Sequence, residues 1–229
     1  MKWSVFKKII FRSIIGFFAV SFFSVLLFKF IPVPVTPLML IRCAEQSVSG
    51  KEICLTKDWT SLDKLGNNIQ VAVITSEDQR FEEHFGFDFE AIEKAQEYNE
   101  KHNGKKIRGA STISQQTAKN VFLWPSRSWV RKGFEVYFTF LIELLWSKER
   151  ILEVYLNVIE TGSGVYGAEA AAVTFFKKPS SKLTSMEAAL IAAVLPNPRK
   201  WSPAKPSGYV RRRATAINRM MGYVRFNDE

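Results

Sequence analysis

From Ser13 to Phe28 the chain runs for sixteen residues without a charge, mostly Ile, Phe, Val and Leu, and flanking apolar residues extend the span to 9–31. About 20 apolar residues cross a bilayer as a helix, so the pattern predicts a transmembrane helix over 9–31 behind a short segment 1–8. Arg12 and Lys29 lie near its ends, where their stems can carry the charge to the headgroups. A cleaved leader needs small residues just after the apolar core. Ala19-x-Ser21 lies inside the run, and Phe28-Lys-Phe-Ile-Pro-Val-Pro34 is a poor cleavage site. A retained anchor is therefore expected. Ile31-Pro-Val-Pro-Val-Thr-Pro37 reads as a stiff extended spacer. Residues 32–60 read as linker and membrane-proximal segment, and 61–229 as one domain.

The rest of the pattern is helical. Period-two alternation is scarce and no Asn-Gly or Asp-Gly hairpin interrupts two strand-like runs. Leu65 to Glu83 carries Ile69, Val71, Ala72, Val73, Ile74 and Phe81 on nearly every side, which is the pattern of a buried helix. Arg131 to Ile159 is long and apolar, Gly167 to Phe176 is rich in Ala, and Lys177-Lys-Pro179 is a helix stop. Thr184-Ser-Met-Glu187 is a capping box before the next helix, and Pro196, Pro198, Pro203 and Pro206 end regular structure. Lys101 to Gly109 is polar and contains Asn103-Gly104, a loop signal. The expected fold class is mainly α.

Charge refines this picture. The net +10 over 229 residues divides into +5 in residues 1–30, −7 in 31–100, +8 in 101–132 and +4 in 133–229. Basic residues ahead of the apolar span predict an N-terminus in the cytoplasm and an exported domain. Two Cys and two His are too few for a zinc ribbon or finger, and neither a P-loop nor a dinucleotide fingerprint occurs. Cys43 and Cys54 permit a closed disulfide loop in an exported domain, and equally two free thiols.

Glu77 falls between Val73 and Phe81 on a greasy helix. Burial there would favour the protonated form and suit a general acid or base; a structural carboxylate where the helix surfaces is the alternative. Arg131, Glu135, Thr139, Glu143 and Ser147 recur every four residues as a polar stripe. Its simpler reading is a solvated face with an Arg131–Glu135 ion pair, and its functional reading a polar cleft wall. The +8 segment joins small hydroxyl and amide side chains to Lys119, Arg127, Arg131 and Lys132, an inventory suited to sugar and phosphate groups. A solvated basic loop is the plain alternative.

Five stretches in order resemble the signatures of the peptidoglycan glycosyltransferases (glycosyltransferase family 51). They are Glu77-Asp-Gln-Arg-Phe-Glu-Glu-His-Phe-Gly-Phe-Asp88, Gly109 to Asn120, and Arg131-Lys-Gly-Phe-Glu135. Lys148 to Asn157 with Gly162, Gly164 and Gly167 is similar to the fourth, and Leu183 to Leu190 with Pro196-Asn-Pro198 to the fifth. The match covers roughly Ile69 to Arg213. Little chain follows, so the monofunctional form is expected rather than one with a transpeptidase domain. Ser114 stands where Thr is common, and Glu160 to Gly164 is a variable stretch.

The resemblance implies a helical, lysozyme-like lobe beside a smaller membrane-proximal lobe, and polymerisation of lipid II into glycan strands. It assigns Glu77 as the base and Glu135 as a second acidic residue near the donor pyrophosphate. Glu135 would orient basic residues or hold a divalent ion, Mg or Mn. Lys119, Arg127, Arg131 and Lys132 would face the pyrophosphate, with Lys119 and Arg127 foremost. Ser111, Gln115, Gln116 and Asn120 would meet substrate, while Asp78 and His84 would keep the first signature in shape. Implied partners are lipid II, the lipid-linked glycan, the cytoplasmic membrane and other cell-wall synthesis proteins. Greasy residues around Trp124, Trp129 and Phe134 would rest in the outer leaflet, or else form core. Two rivals remain: a lytic glycosidase, which also uses acidic residues but leaves the basic segment unexplained, and an anchored non-catalytic binding protein. Nucleic acid is disfavoured by export and by the lack of a binding motif.

Overall fold

The structure, a computed structural model, describes residues 3–102, 108–126, 128–224 and 226, with side chains from Phe6 onward. Arg127 and most of the polar 101–109 segment lie outside the described residues.

The first helix, α1 (Trp3–Phe30), contains a stretch, Phe6–Phe30, long and apolar enough to cross a membrane. Its last half is docked on the domain, chiefly on α6 (Trp129–Leu145). Phe17 packs on Phe134 and Tyr137, and the Tyr137 and Ser21 hydroxyls lie 2.6 Å apart. Trp146 donates its indole N–H to the Val25 carbonyl at 2.8 Å. The Arg150 guanidinium donates to Phe28 O at 2.8 Å and Ile31 O at 2.5 Å. Carbonyls of a helix's last turn have no partner within the helix, and Arg150 supplies one.

After an extended spacer the chain forms α2 (Pro37–Val48), inside the segment that the sequence reads as linker and membrane-proximal segment. Thr36 is its N-cap and Pro37 its first residue, a favoured start. The prolines before it dominate the local signal. Cys43 and Cys54 are free thiols. A small sheet follows from β1 (Thr56–Lys57), β2 (Glu160–Gly162) and β3 (Val165–Tyr166), in the order β1-β3-β2. Thr56 pairs with Val165 in parallel, and β3 runs antiparallel to β2. Gly164 turns between β2 and β3 with φ 75°, and a Cβ there would lie 2.5 Å from the Cys54 carbonyl oxygen. Only glycine meets both demands.

The centre of the domain is α3 (Asn67–Glu77), whose residues Ile69 and Val71 to Thr75 are buried. It packs on α9 (Ser185–Val194) and α10 (Gly208–Met220). Ala188, Ala189, Ala192 and Ala193 are all fully buried, and such small side chains let the helices approach closely. The Thr184–Glu187 capping box is present in both directions. A second layer consists of α5 (Ile113–Phe122), α6 and α7 (Lys148–Val158), with Phe122 and Phe138 stacked at 4.6 Å between α5 and α6. The helices α4 (Phe89–Lys101) and α8 (Ala168–Phe176) complete the described elements apart from short 3-10 turns.

The long apolar run after Arg131 is two helices, not one. Trp146 is extended (φ −106°, ψ 154°), and Ser147 accepts from the Arg150 N–H at 3.3 Å as the N-cap of α7. The polar stripe is also not a solvated face. Glu135, Thr139 and Glu143 are 3%, 0% and 8% exposed, whereas Trp129, Phe140 and Leu144 are 91%, 51% and 57% exposed. The outer face of α6 is the apolar one.

Candidate active site

Glu77 is the last residue of α3, placed by the burial of Ile69 and Val71 to Thr75 before it. One carboxylate oxygen accepts from Gln116 Nε2 on α5 at 3.0 Å, and the other from the Ser76 hydroxyl at 3.1 Å. Arg213 of α10 lies 3.6 Å from Glu77 and donates to Ser76 Oγ at 3.0 Å. Gln116 is itself held by the buried Tyr155 hydroxyl, which donates to its Oε1 at 3.1 Å. The carboxylate is thus fixed from three helices.

Asp78 leaves the helix in an extended conformation and turns inward. Its carboxylate meets His84 Nε2 at 2.9 Å and accepts from the Ile113 N–H, also at 2.9 Å. It therefore joins the loop after α3 to the first turn of α5, whose free N–H groups favour an anion. Gly86, in the same signature, has φ 78° and lies so close to α6 that a Cβ would meet Thr139 at 2.8 Å. Its carbonyl accepts from Thr112 Oγ1 at 2.7 Å. Asp78, His84 and Gly86 hold the loop against α5 and α6.

Thr112 caps α5, and Gln115 completes a capping box by accepting from the Thr112 N–H at 3.1 Å. That side chain is buried, and its oxygen is committed to the cap. Ser111 is exposed ahead of the cap. Ser114 hydrogen-bonds Glu143, which pairs with Lys148 at 2.8 Å, and Lys148 donates to the His84 carbonyl at 2.6 Å. The inner stripe of α6 thereby closes around the first signature.

A cleft of about 620 Å³ runs along α5 and opens beside α2. One wall carries Gln116, Lys119, Asn120, Trp124 and Arg131; the other carries Leu38, Arg42, Glu160, Leu195 and Pro198. Burial lowers the Lys119 pKa, with Glu135 pulling it back up. Among the described residues its ammonium has no hydrogen-bond partner. Glu135 receives Arg131 Nη1 at 2.6 Å and also the Lys132 ammonium, one on each carboxylate oxygen. Ser111, Lys132 and Glu77 do not line the cleft among the described residues, and Gln116 links Glu77 to it.

A protein-held divalent cation does not fit these side chains. Both Glu135 oxygens are taken by cations, and no three His, Cys, Asp or Glu residues gather as a ligand set among the described residues. Sequence reasoning missed Arg213, Arg42 and Glu160. Arg213 is 136 residues from Glu77 and Arg42 lies on an unforeseen helix, so local spacing carries no signal for either.

The geometry joins a fixed carboxylate to a cationic cleft wall, and known proteins of this sequence type can be set beside it. The family model described as Transglycosylase matches residues 48–222. A biosynthetic peptidoglycan transglycosylase of Bacteroides thetaiotaomicron is 59% identical over 199 residues, covering 87% of this chain and 79% of the relative. One from Bdellovibrio bacteriovorus is 55% identical, covering 96% of this chain and 87% of the relative. One from Pseudomonas syringae pv. syringae is 51% identical, covering 96% and 92%. This chain belongs to the transglycosylase family.

Proposed function

We propose that the chain is a peptidoglycan glycosyltransferase that polymerises lipid II. The growing glycan, linked through C1 to undecaprenyl pyrophosphate, is the donor, and the GlcNAc 4-hydroxyl of lipid II is the acceptor. The hydroxyl oxygen forms a bond to C1 as the C1–pyrophosphate bond breaks, inverting α to β. The proton goes to Glu77, and the electron pair leaves with undecaprenyl pyrophosphate. A sugar hydroxyl is a weak nucleophile, and a positioned carboxylate contributes about 10²–10⁴-fold.

The observation that carries this reading is Gln116. It donates to Glu77 and lines the same cleft as Lys119 and Arg131, so base and cations belong to one site. Lys119 and Arg131 would stabilise charge developing on the leaving pyrophosphate in a partly desolvated cleft. Arg127, by resemblance, would join them. Glu135 orients Arg131 and Lys132. A divalent ion, where used, would travel with the pyrophosphate oxygens, as a hard cation keeping few protein ligands does.

The substrates are lipids, which accounts for the anchor. Lys2, Lys7, Lys8 and Arg12, ahead of the uncharged run, favour a cytoplasmic N-terminus and a domain at the outer face of the membrane. The exposed Trp129, Val130, Phe140 and Leu144 then sit in the outer leaflet. The test is purified protein with labelled lipid II in vesicles, wild type beside Glu77→Gln. Polymer from wild type alone supports the reading. Polymer from both at equal rate removes Glu77 as base, and cleavage of preformed glycan without polymer favours a lytic enzyme.

A further inference from the structure

The two walls of the cleft differ in charge. On the α5–α6 side Lys119 and Arg131 line the cleft, and Lys132 and Glu135 behind them balance each other, leaving a net +2. On the other side Arg42 of α2 pairs with Glu45 at 2.7 Å and lies 3.7 Å from Glu160, and Arg199 lies 3.8 Å from Glu45. Two cations and two anions balance there. An anion has no reason to choose that wall over the other.

Glu160 is the unusual member. It is 8% exposed, lines the cleft, and has no hydrogen-bond donor among the described residues. Arg42 stands beyond hydrogen-bond distance, spends Nη1 on Glu45, and leaves its buried Nε without a partner. Burial raises the Glu160 pKa, with Arg42 opposing. A buried carboxylate without donors is costly, and hydroxyl groups entering the cleft would relieve it. Leu38, Leu195 and Pro198 offer apolar surface beside it.

We propose that Arg42 and Glu160 form a subsite for a neutral N-acetylated sugar of the glycan strand, distinct from the pyrophosphate wall. Glu160 accepts from sugar hydroxyls, and Arg42 donates to an acetamido or ring oxygen. The inference rests on the glycan-polymerase reading.

The test measures binding of chitotetraose, an uncharged lipid-free GlcNAc tetrasaccharide, and separately of inorganic pyrophosphate, to the full-length protein in detergent. Glu160→Gln and Arg42→Gln should each weaken tetrasaccharide binding about tenfold, the loss of one charge-assisted hydrogen bond. Pyrophosphate affinity should stay within about twofold, which also shows the variants folded, because neither Arg42 nor Glu160 is among the charges that act on Lys119. Tetrasaccharide affinity unchanged in both variants, while wild type polymerises lipid II, overturns the subsite alone. Binding that requires the stem peptide assigns Glu160 to a peptide amine and also overturns it. A wild type that neither polymerises nor binds the sugar overturns the function and the subsite together.

Discussion

Helices α3 and α6 are opposite solutions to burial. The first is apolar on nearly every side, packs on α9 and α10, and presents one carboxylate at its end. The second turns its polar stripe inward and its apolar face outward. A helix in water would do the reverse. The inversion makes sense if the inner side of α6 is a charged reaction site and its outer side meets lipid. Glu77 is half-buried because a core helix ends there, whereas Glu135 is buried because two cations enclose it.

The largest effect should come from removing the carboxylate at the end of α3. Glu77→Gln is expected to lower lipid II polymerisation by about 10²–10⁴-fold, with the pyrophosphate affinity retained. On the α6 side, Glu135→Gln should lower it by about 10²-fold, because Arg131 and Lys132 lose the group that aims them. If Glu135→Gln is the more damaging in a side-by-side rate measurement, the assignment of roles is reversed.

Lys119 gives a pH test of the cationic wall. An ammonium binds an anion only while protonated, and burial holds its pKa below the ordinary lysine range. Pyrophosphate affinity should therefore fall as pH rises through that lowered value, before free lysines titrate near ~10.4. Calorimetry of Lys119→Arg across the same range should show no such fall, since guanidinium stays charged. An identical alkaline limb in that variant would place the titrating cation elsewhere.

The smallest effects concern the outer face of α6. Lipid-borne bromine should quench the part of the tryptophan emission that disappears in Trp129→Phe. Phe140→Ser should lower the rate on lipid II in vesicles by about tenfold, the burial of one large apolar side chain, and leave the rate on a short-chain soluble analogue unchanged. Equal rates for wild type and variant on vesicles would mean that this face meets water, and α6 would then be an ordinary helix with an unexplained surface.

Much of this molecule is written locally. The apolar run of α1, the Thr184–Glu187 capping box, the largely apolar α3 and the ordered signatures are short-range patterns, set by bilayer thickness, backbone hydrogen bonding and helical periodicity. Periodicity also reveals that α6 has a polar stripe. It cannot say which side faces out, because that depends on what surrounds the helix and not on its own residues. The break at Trp146 depends likewise on an indole reaching Val25, 121 residues away. Gln115, a substrate contact by resemblance, also serves as a cap, which only the geometry reveals. Arg213 beside Glu77, and Arg42 facing Glu160, come together only when α10 and α2 pack, since charge pairing acts through space over a few ångströms and leaves no mark on sequence spacing.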